Sequence, residues 1–181
     1  MTEPPGSASH PALLGGVLVA PATLVALAVD AARTGETETL ARALAAGVPV
    51  GATSPRGDSL LMVAAYNGQT DAVRLLLSLG ADPEQTDHKG QSPLAGVAFK
   101  GLVEIAELLV TGGAVVDHTA PDGRTPLMMA AAFNRVEMVA WLMARGASPM
   151  RRDAAGSTAR EIARAMGATD VAALLGSARE A

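Results

Sequence analysis

The stretch Gly90-Gln91-Ser92-Pro93-Leu94-Ala95-Gly96-Val97-Ala98-Phe99-Lys100-Gly101-Leu102-Val103-Glu104-Ile105-Ala106-Glu107-Leu108-Leu109-Val110-Thr111-Gly112-Gly113-Ala114 decides the fold. It opens on a glycine turn and a Ser-Pro helix start. A short apolar helix follows, then a break at Gly101, a second apolar helix and a Gly-Ala ending. The layout recurs on both sides. The turn glycines Gly57, Gly90, Gly123 and Gly156 stand thirty-three residues apart, and the helix-ending glycines Gly47, Gly80, Gly113 and Gly146 keep the same step. Two glycine series locked to one period define a repeating unit. A helix pair of this size cannot bury its apolar face alone, so the units are expected to stack.

At these residues the chain resembles the ankyrin-repeat family, whose period is about 33. The family's Thr-Pro-Leu-His start appears as Thr125-Pro126-Leu127-Met128 and Ser92-Pro93-Leu94-Ala95, with weaker copies at Ser59-Leu60-Leu61-Met62 and Thr158-Ala159-Arg160-Glu161. The family's Leu-Leu-x-x-Gly-Ala ending appears as Leu77-Ser78-Leu79-Gly80-Ala81, Leu109-Val110-Thr111-Gly112-Gly113-Ala114 and Leu142-Met143-Ala144-Arg145-Gly146-Ala147. The resemblance implies an all-α solenoid of helix-turn-helix units with protruding hairpin-like loops, about five repeats including caps. It implies a non-enzymatic module that binds another protein, and it does not name the partner, because such arrays share architecture and differ in what they hold. The chain is similar to small stand-alone bacterial ankyrin-repeat proteins. Some of these are encoded beside catalase or other stress enzymes, so the resemblance admits a stress-defence enzyme as partner.

The repeats are expected at about 22–56, 57–89, 90–122, 123–155 and 156–176, behind a leader of residues 1–21 and before a polar tail of 177–181. Residues 1–11 read as disordered. The apolar run from Ala12 to Val29 has two readings. No Lys or Arg precedes it, Gly15-Gly16 and Pro21 interrupt it and Asp30 closes it, which speaks against a signal peptide or a membrane span. The favoured reading makes Thr23 to Arg33 the first helix, capped by Thr23, with Leu13 to Ala20 packing across the open end. The alternative is a membrane-associated or exported helper anchored by residues 12–29. Arg42 stands where later repeats have Leu75, Leu108 and Trp141, and Arg160 where they have Leu61, Leu94 and Leu127. Polar residues there suit terminal caps. Trp141 is expected in the core. Asn134 replaces the glycine found at Gly68, Gly101 and Gly167, as a left-handed helix terminus allows.

Composition excludes several functions. Hydrophobic residues make up 49% of the chain but aromatics only 2%, so Ala and Leu must do the packing. A net charge of −4 gives no general attraction to nucleic acid or to an anionic membrane. Without cysteine there is no disulfide framework and no thiolate zinc site. Lys89 and Lys100 are the only lysines, and Arg-rich, Ala-rich usage is associated with GC-rich bacterial genomes. A cytoplasmic monomer is expected.

No constellation for catalysis, metal or cofactor assembles. His10 lies in the leader, and His88 and His118 fall at different points of the repeat, so they read as solvated side chains. Neither Gly15-Gly16 nor Gly112-Gly113 precedes the Lys-Ser/Thr of a phosphate loop, and no serine has a Gly-x-Ser-x-Gly context. Asp117, Asp122 and Asp153 lie on separate loops. Met62, Met128, Met129, Met138 and Met143 read as core, with an adaptable contact surface as the alternative.

The resemblance places the contact surface on a concave face built from finger tips and the outer side of each first helix. In that register lie Tyr66 and Asn67, Phe99 and Lys100, and Phe133. The fingers add Arg56, Asp58, His88, Lys89, Gln91, Asp122 and Arg124. The chain's one Tyr and both Phe fall here, ringed by charge, which is the composition of an interface hot spot. The competing reading is that these rings only pack against the next finger.

Overall fold

Four hydroxyls start four helices in the same way. Ser59 Oγ accepts from Met62 N–H, Ser92 Oγ from Ala95 N–H, Thr125 Oγ1 from Met128 N–H and Thr158 Oγ1 from Glu161 N–H. Each satisfies a helix-end donor that would otherwise be orphaned, and all four residues are buried. Thr158 adds the reciprocal bond, with Glu161 accepting from its backbone N–H at 2.7 Å, to complete a capping box. The computed structural model describes residues 12–14 and 17–177. Among them are a short antiparallel strand pair and ten helices.

The chain divides after Asp82 into two compact units. In the first, β1 (Ala12–Leu14) pairs with β2 (Val17–Val19), Leu13 opposite Leu18. Then come α1 (Pro21–Thr34), α2 (Thr37–Ala45), α3 (Leu60–Tyr66) and α4 (Thr70–Ser78). Helix α1 lies against α2 and α3, and α2 and α3 each lie against α4. The second unit holds α5 (Pro93–Lys100), α6 (Val103–Thr111), α7 (Pro126–Ala132), α8 (Val136–Ala144), α9 (Ala159–Ala165) and α10 (Thr169–Ser177). Its first helices stack as α5 on α7 on α9, and its second helices as α6 on α8 on α10. The fold is an all-α repeat solenoid in which the strand pair is a short N-terminal addition. The expectations for residues 1–11 and 178–181 lie outside the described residues.

Between helix pairs the chain makes one turn four times. Ser54, Asp87, Ala120 and Asp153 donate their N–H to the carbonyls of Asp58, Gln91, Arg124 and Ser157, and accept at their own carbonyls from the N–H of Gly57, Gly90, Gly123 and Gly156. Asp87 Oδ1 also takes the N–H of Lys89 and Gln91, and Asp153 Oδ1 those of Ala155 and Ser157. Ser54 Oγ does the same for Arg56 and Asp58. These are the side-chain turns that short polar residues form with backbone two to four positions on. Ala120 has no such group, and Asp122 Oδ1 takes the Arg124 N–H instead.

Asn134 has φ 53°, the left-handed value that Gly68, Gly101 and Gly167 adopt at the same point. The core is Leu and Ala, as the composition requires. Leu60, Leu61, Leu94, Leu109, Leu127 and Leu142 are essentially inaccessible, and Ala28, Ala64, Ala98 and Ala131 let the first helices approach closely. Met62, Met128 and Met138 are buried, whereas Met129 and Met143 are only half-buried.

Three expectations need correction. Helix α1 starts at Pro21 behind Ala20, and Thr23 is no cap. Proline brings a fixed φ and no N–H to satisfy, so it claims the first helical position two residues earlier. Trp141 is not core. It is half-buried, like Leu75 and Leu108 at the same register. Its Nε1–H donates to Glu107 Oε2 at 3.2 Å, and the Arg145 guanidinium lies 4.1 Å from the ring centroid while also bonding Glu107. The register itself lies at the boundary, and there the polar edge of an indole finds partners that a leucine could not use. His118 is not solvated. It is half-buried, with Nδ1 2.9 Å from Glu84 Oε2 and Nε2 3.2 Å from the Gly90 carbonyl.

Candidate interaction surface

In the second unit Phe99 and Phe133 meet. Their ring centroids are 4.3 Å apart at an interplanar angle of 70°, an edge-to-face contact. They come from different points of the repeat. Phe99 is inside α5, and Phe133 is the residue after α7, aligned with Lys100. That offset lets the later ring reach the earlier one. Phe99 is half-buried and Phe133 is 42% exposed. The rings therefore pack on each other and still present apolar area to solvent. The Phe99 carbonyl also accepts from Arg135 Nε at 3.0 Å, which ties the neighbouring repeats together beside the pair.

The fingers of this unit carry exposed His88, Lys89, Asp122 and Arg124, and half-buried Gln91. Arg124 and Asp122 form an exposed ion pair at 3.6 Å. Gln91 closes the turn on Asp87 through its backbone. In the first unit Tyr66 is 41% exposed at the end of α3, while Asn67 turns back to donate Nδ2–H to the Val63 carbonyl at 2.8 Å. Arg56 is exposed, and Asp58 is tied to Ser54, whose hydroxyl donates to its carboxylate at 3.2 Å.

Sequence reasoning missed the polar links between successive fingers. Glu84 Oε1 accepts from Val115 N–H at 3.0 Å while Oε2 faces His118. Thirty-three residues on, Asp117 accepts from Ser148 N–H and from Arg151 Nε, the latter at 3.2 Å. It is one carboxylate position with one backbone and one side-chain partner, used twice. The visible signal was a carboxylate recurring at the repeat period with His118 and Arg151 recurring behind it. Among the described residues no group of three or more His, Asp or Glu side chains converges to hold a metal ion. None of the described helices is long and apolar enough to cross a membrane. The apolar side chains Leu24, Ala28, Val29, Ala31 and Ala32 of α1 are buried in the first unit.

The period, the repeated turn and the stacked helix pairs are matched by the family described as ankyrin repeats (3 copies), over residues 28–120, 61–153 and 97–180. The chain belongs to the ankyrin-repeat family. No curated protein matches it. Ankyrin repeats generally mediate contacts between proteins, and proteins built from them are typically interaction modules and not enzymes.

Proposed function

We propose that this ankyrin protein is a non-enzymatic, cytoplasmic binding module that holds a partner protein on the face shared by its finger tips and first helices, the concave face in the family. The observation that carries this reading is the partly exposed Phe99–Phe133 pair, in a unit whose fingers carry exposed charges. A coupled pair of rings is a rigid apolar anchor with little conformational entropy left to lose. Tyr66 offers the same kind of anchor in the first unit. Arg56 in the first unit, and Lys89, Lys100 and Arg124 in the second, supply positive charge that steers acidic groups of a partner, and exposed His88 adds a polar contact. Asp58, Asn67 and Asp122 shape the surface more than they bind, since the side chain of each is engaged in its own turn or helix end, while Gln91 closes its turn through its backbone and keeps its side chain for contact.

The test is affinity capture by the wild type and by a Phe99→Ala/Phe133→Ala double variant, with mass spectrometry to name what is held. A stress-defence enzyme such as catalase is the identity the resemblance admits. Hot-spot truncation costs at least about 2 kcal/mol, or roughly thirtyfold in affinity. The partner should be lost from the variant while its helical circular dichroism stays that of the wild type. Equal recovery by both would defeat the proposal.

A further inference from the structure

The last repeat breaks the pattern of the others in a way that capping does not explain. Position 61 of the second repeat recurs at 94, 127 and 160. Leu61, Leu94 and Leu127 are at most 1% exposed, but the fourth residue is Arg160. A cap requires a solvated charge. Arg160 is half-buried, and its Nε is buried with no hydrogen-bond partner among the described residues. An orphaned guanidinium N–H is costly, and because this Nε is closed off from solvent only the Nη groups of Arg160 can reach a ligand.

A glycine is placed for that guanidinium. Gly176 lies inside α10, where glycine is a poorer helix former than alanine. A Cβ there would sit 2.7 Å from Arg160 Nη2 and 3.1 Å from Cζ. A methyl there would push the end of the flexible Arg160 side chain aside without touching the backbone.

Arg160 lines a cavity of about 90 Å³ together with Arg152, Arg164, Glu161, Met150 and Leu175. At about 30 Å³ per water, that is room for about three waters or one compact oxyanion. Glu161 is already engaged by Thr158 N–H at 2.7 Å, the Thr158 hydroxyl at 2.8 Å and Arg152 Nη1 at 3.2 Å. Among the described residues neither Arg160 nor Arg164 forms an ion pair. Three arginines against one glutamate give the lining residues two net positive charges. Planar, multidentate, permanently charged donors are the groups that recognise phosphate.

From this geometry we infer that the last repeat holds a binding site for a dianionic phosphoryl group, with Arg160 and Arg164 as its principal donors and Arg152 as a shared one. The exposed Met150 at the rim leaves a place for a carbon substituent. Free phosphate and the phosphorylated side chain of a peptide share this chemistry. The site is separate from the Phe99–Phe133 surface, so either can fail without the other.

Isothermal titration of the full chain at low salt decides it, using three probes: inorganic phosphate, a blocked Leu-phosphoserine-Leu peptide and its unphosphorylated form. Saturable one-to-one binding of the phosphorylated probes is expected, with none for the unphosphorylated peptide. Arg164→Gln, an exposed change, should weaken binding at least tenfold. Gly176→Ala leaves the net charge intact but displaces the Arg160 guanidinium, so it should weaken binding similarly while α10 stays helical. A peptide that binds more tightly than inorganic phosphate assigns the site to a phosphorylated partner, and equal binding assigns it to free phosphate. No saturable binding by either, or affinity unchanged in both variants, would overturn the inference.

Discussion

Gly123 and Gly156 are the same residue of the same turn, one repeat apart, and both have φ +78°. What surrounds them differs. A Cβ on Gly123 would lie 2.7 Å from Ala154 N and 2.8 Å from Asp153 Cα, both backbone atoms of the next finger. A Cβ on Gly156 would meet nothing within 4 Å among the described residues. Replacement by alanine therefore separates two costs. Left-handed backbone strain, common to both, is about 1–2 kcal/mol. The collision belongs to Gly123 alone. The opposing backbone cannot yield freely, because Ala154 N–H donates to the Asp122 carbonyl at 2.9 Å and the Asp153 carboxylate holds its own turn closed. Overpacking against such a surface costs about 1–3 kcal/mol more. With a urea dependence of about 2 kcal/mol per molar, Gly123→Ala should unfold about 1 M earlier than Gly156→Ala. Urea denaturation followed by circular dichroism measures the difference, and exchange of the Ala154 amide should quicken in Gly123→Ala only. Coincident midpoints would show that neighbouring fingers do not touch as described.

Two further outcomes follow from single side chains. The Arg145 guanidinium bonded to Glu107, helped by the Trp141 indole, holds that carboxyl below the ordinary glutamate value of 4.5, against the opposing effect of lost solvation. Stability from this link is thus present above that value and lost as pH falls through the lowered one; Trp141, the chain's one tryptophan, should report it by fluorescence, and a midpoint at or above 4.5 would contradict the link. Asn134→Gly keeps the left-handed backbone and loses only the bonds to Val171 N–H and Asp170, whereas Asn134→Ala loses both; thermal melting should place the alanine variant lower by about 1 kcal/mol, and equal melting would remove the backbone argument.

The period was legible because it rests on backbone requirements that few residues meet. A left-handed turn needs Gly57, Gly90, Gly123 or Gly156, and a buried helix start needs Ser92 or Thr125. Such residues announce themselves one at a time. Contacts between repeats do not. Glu84 with His118, and Asp117 with Arg151, join residues 34 apart, and each member alone reads as an ordinary surface charge. Only alignment at the repeat period shows that the two pairs are one device. Trp141 was misplaced for a related reason. Aligning it with leucines identified the register but not its depth, and Leu75 and Leu108 are themselves half-buried.

The same distinction bears on which residues can serve a partner. A side chain whose polar atoms close its own turn, as Asp87 and Asp153 do, cannot change without loosening a finger. Such positions are constrained by stability, whatever the array binds. Arg56, His88 and Lys89 are exposed, and it is their backbone or their neighbours that hold the turn. Their side chains are therefore open to selection by contact alone. Phe133 belongs to both groups, since its ring packs on Phe99 and is still partly exposed. A residue in that position fixes the shape of the surface and also presents apolar area to solvent. A recognition site on a repeat scaffold is most economically built around such residues, because the rigidity that binding needs is then already present before the partner arrives.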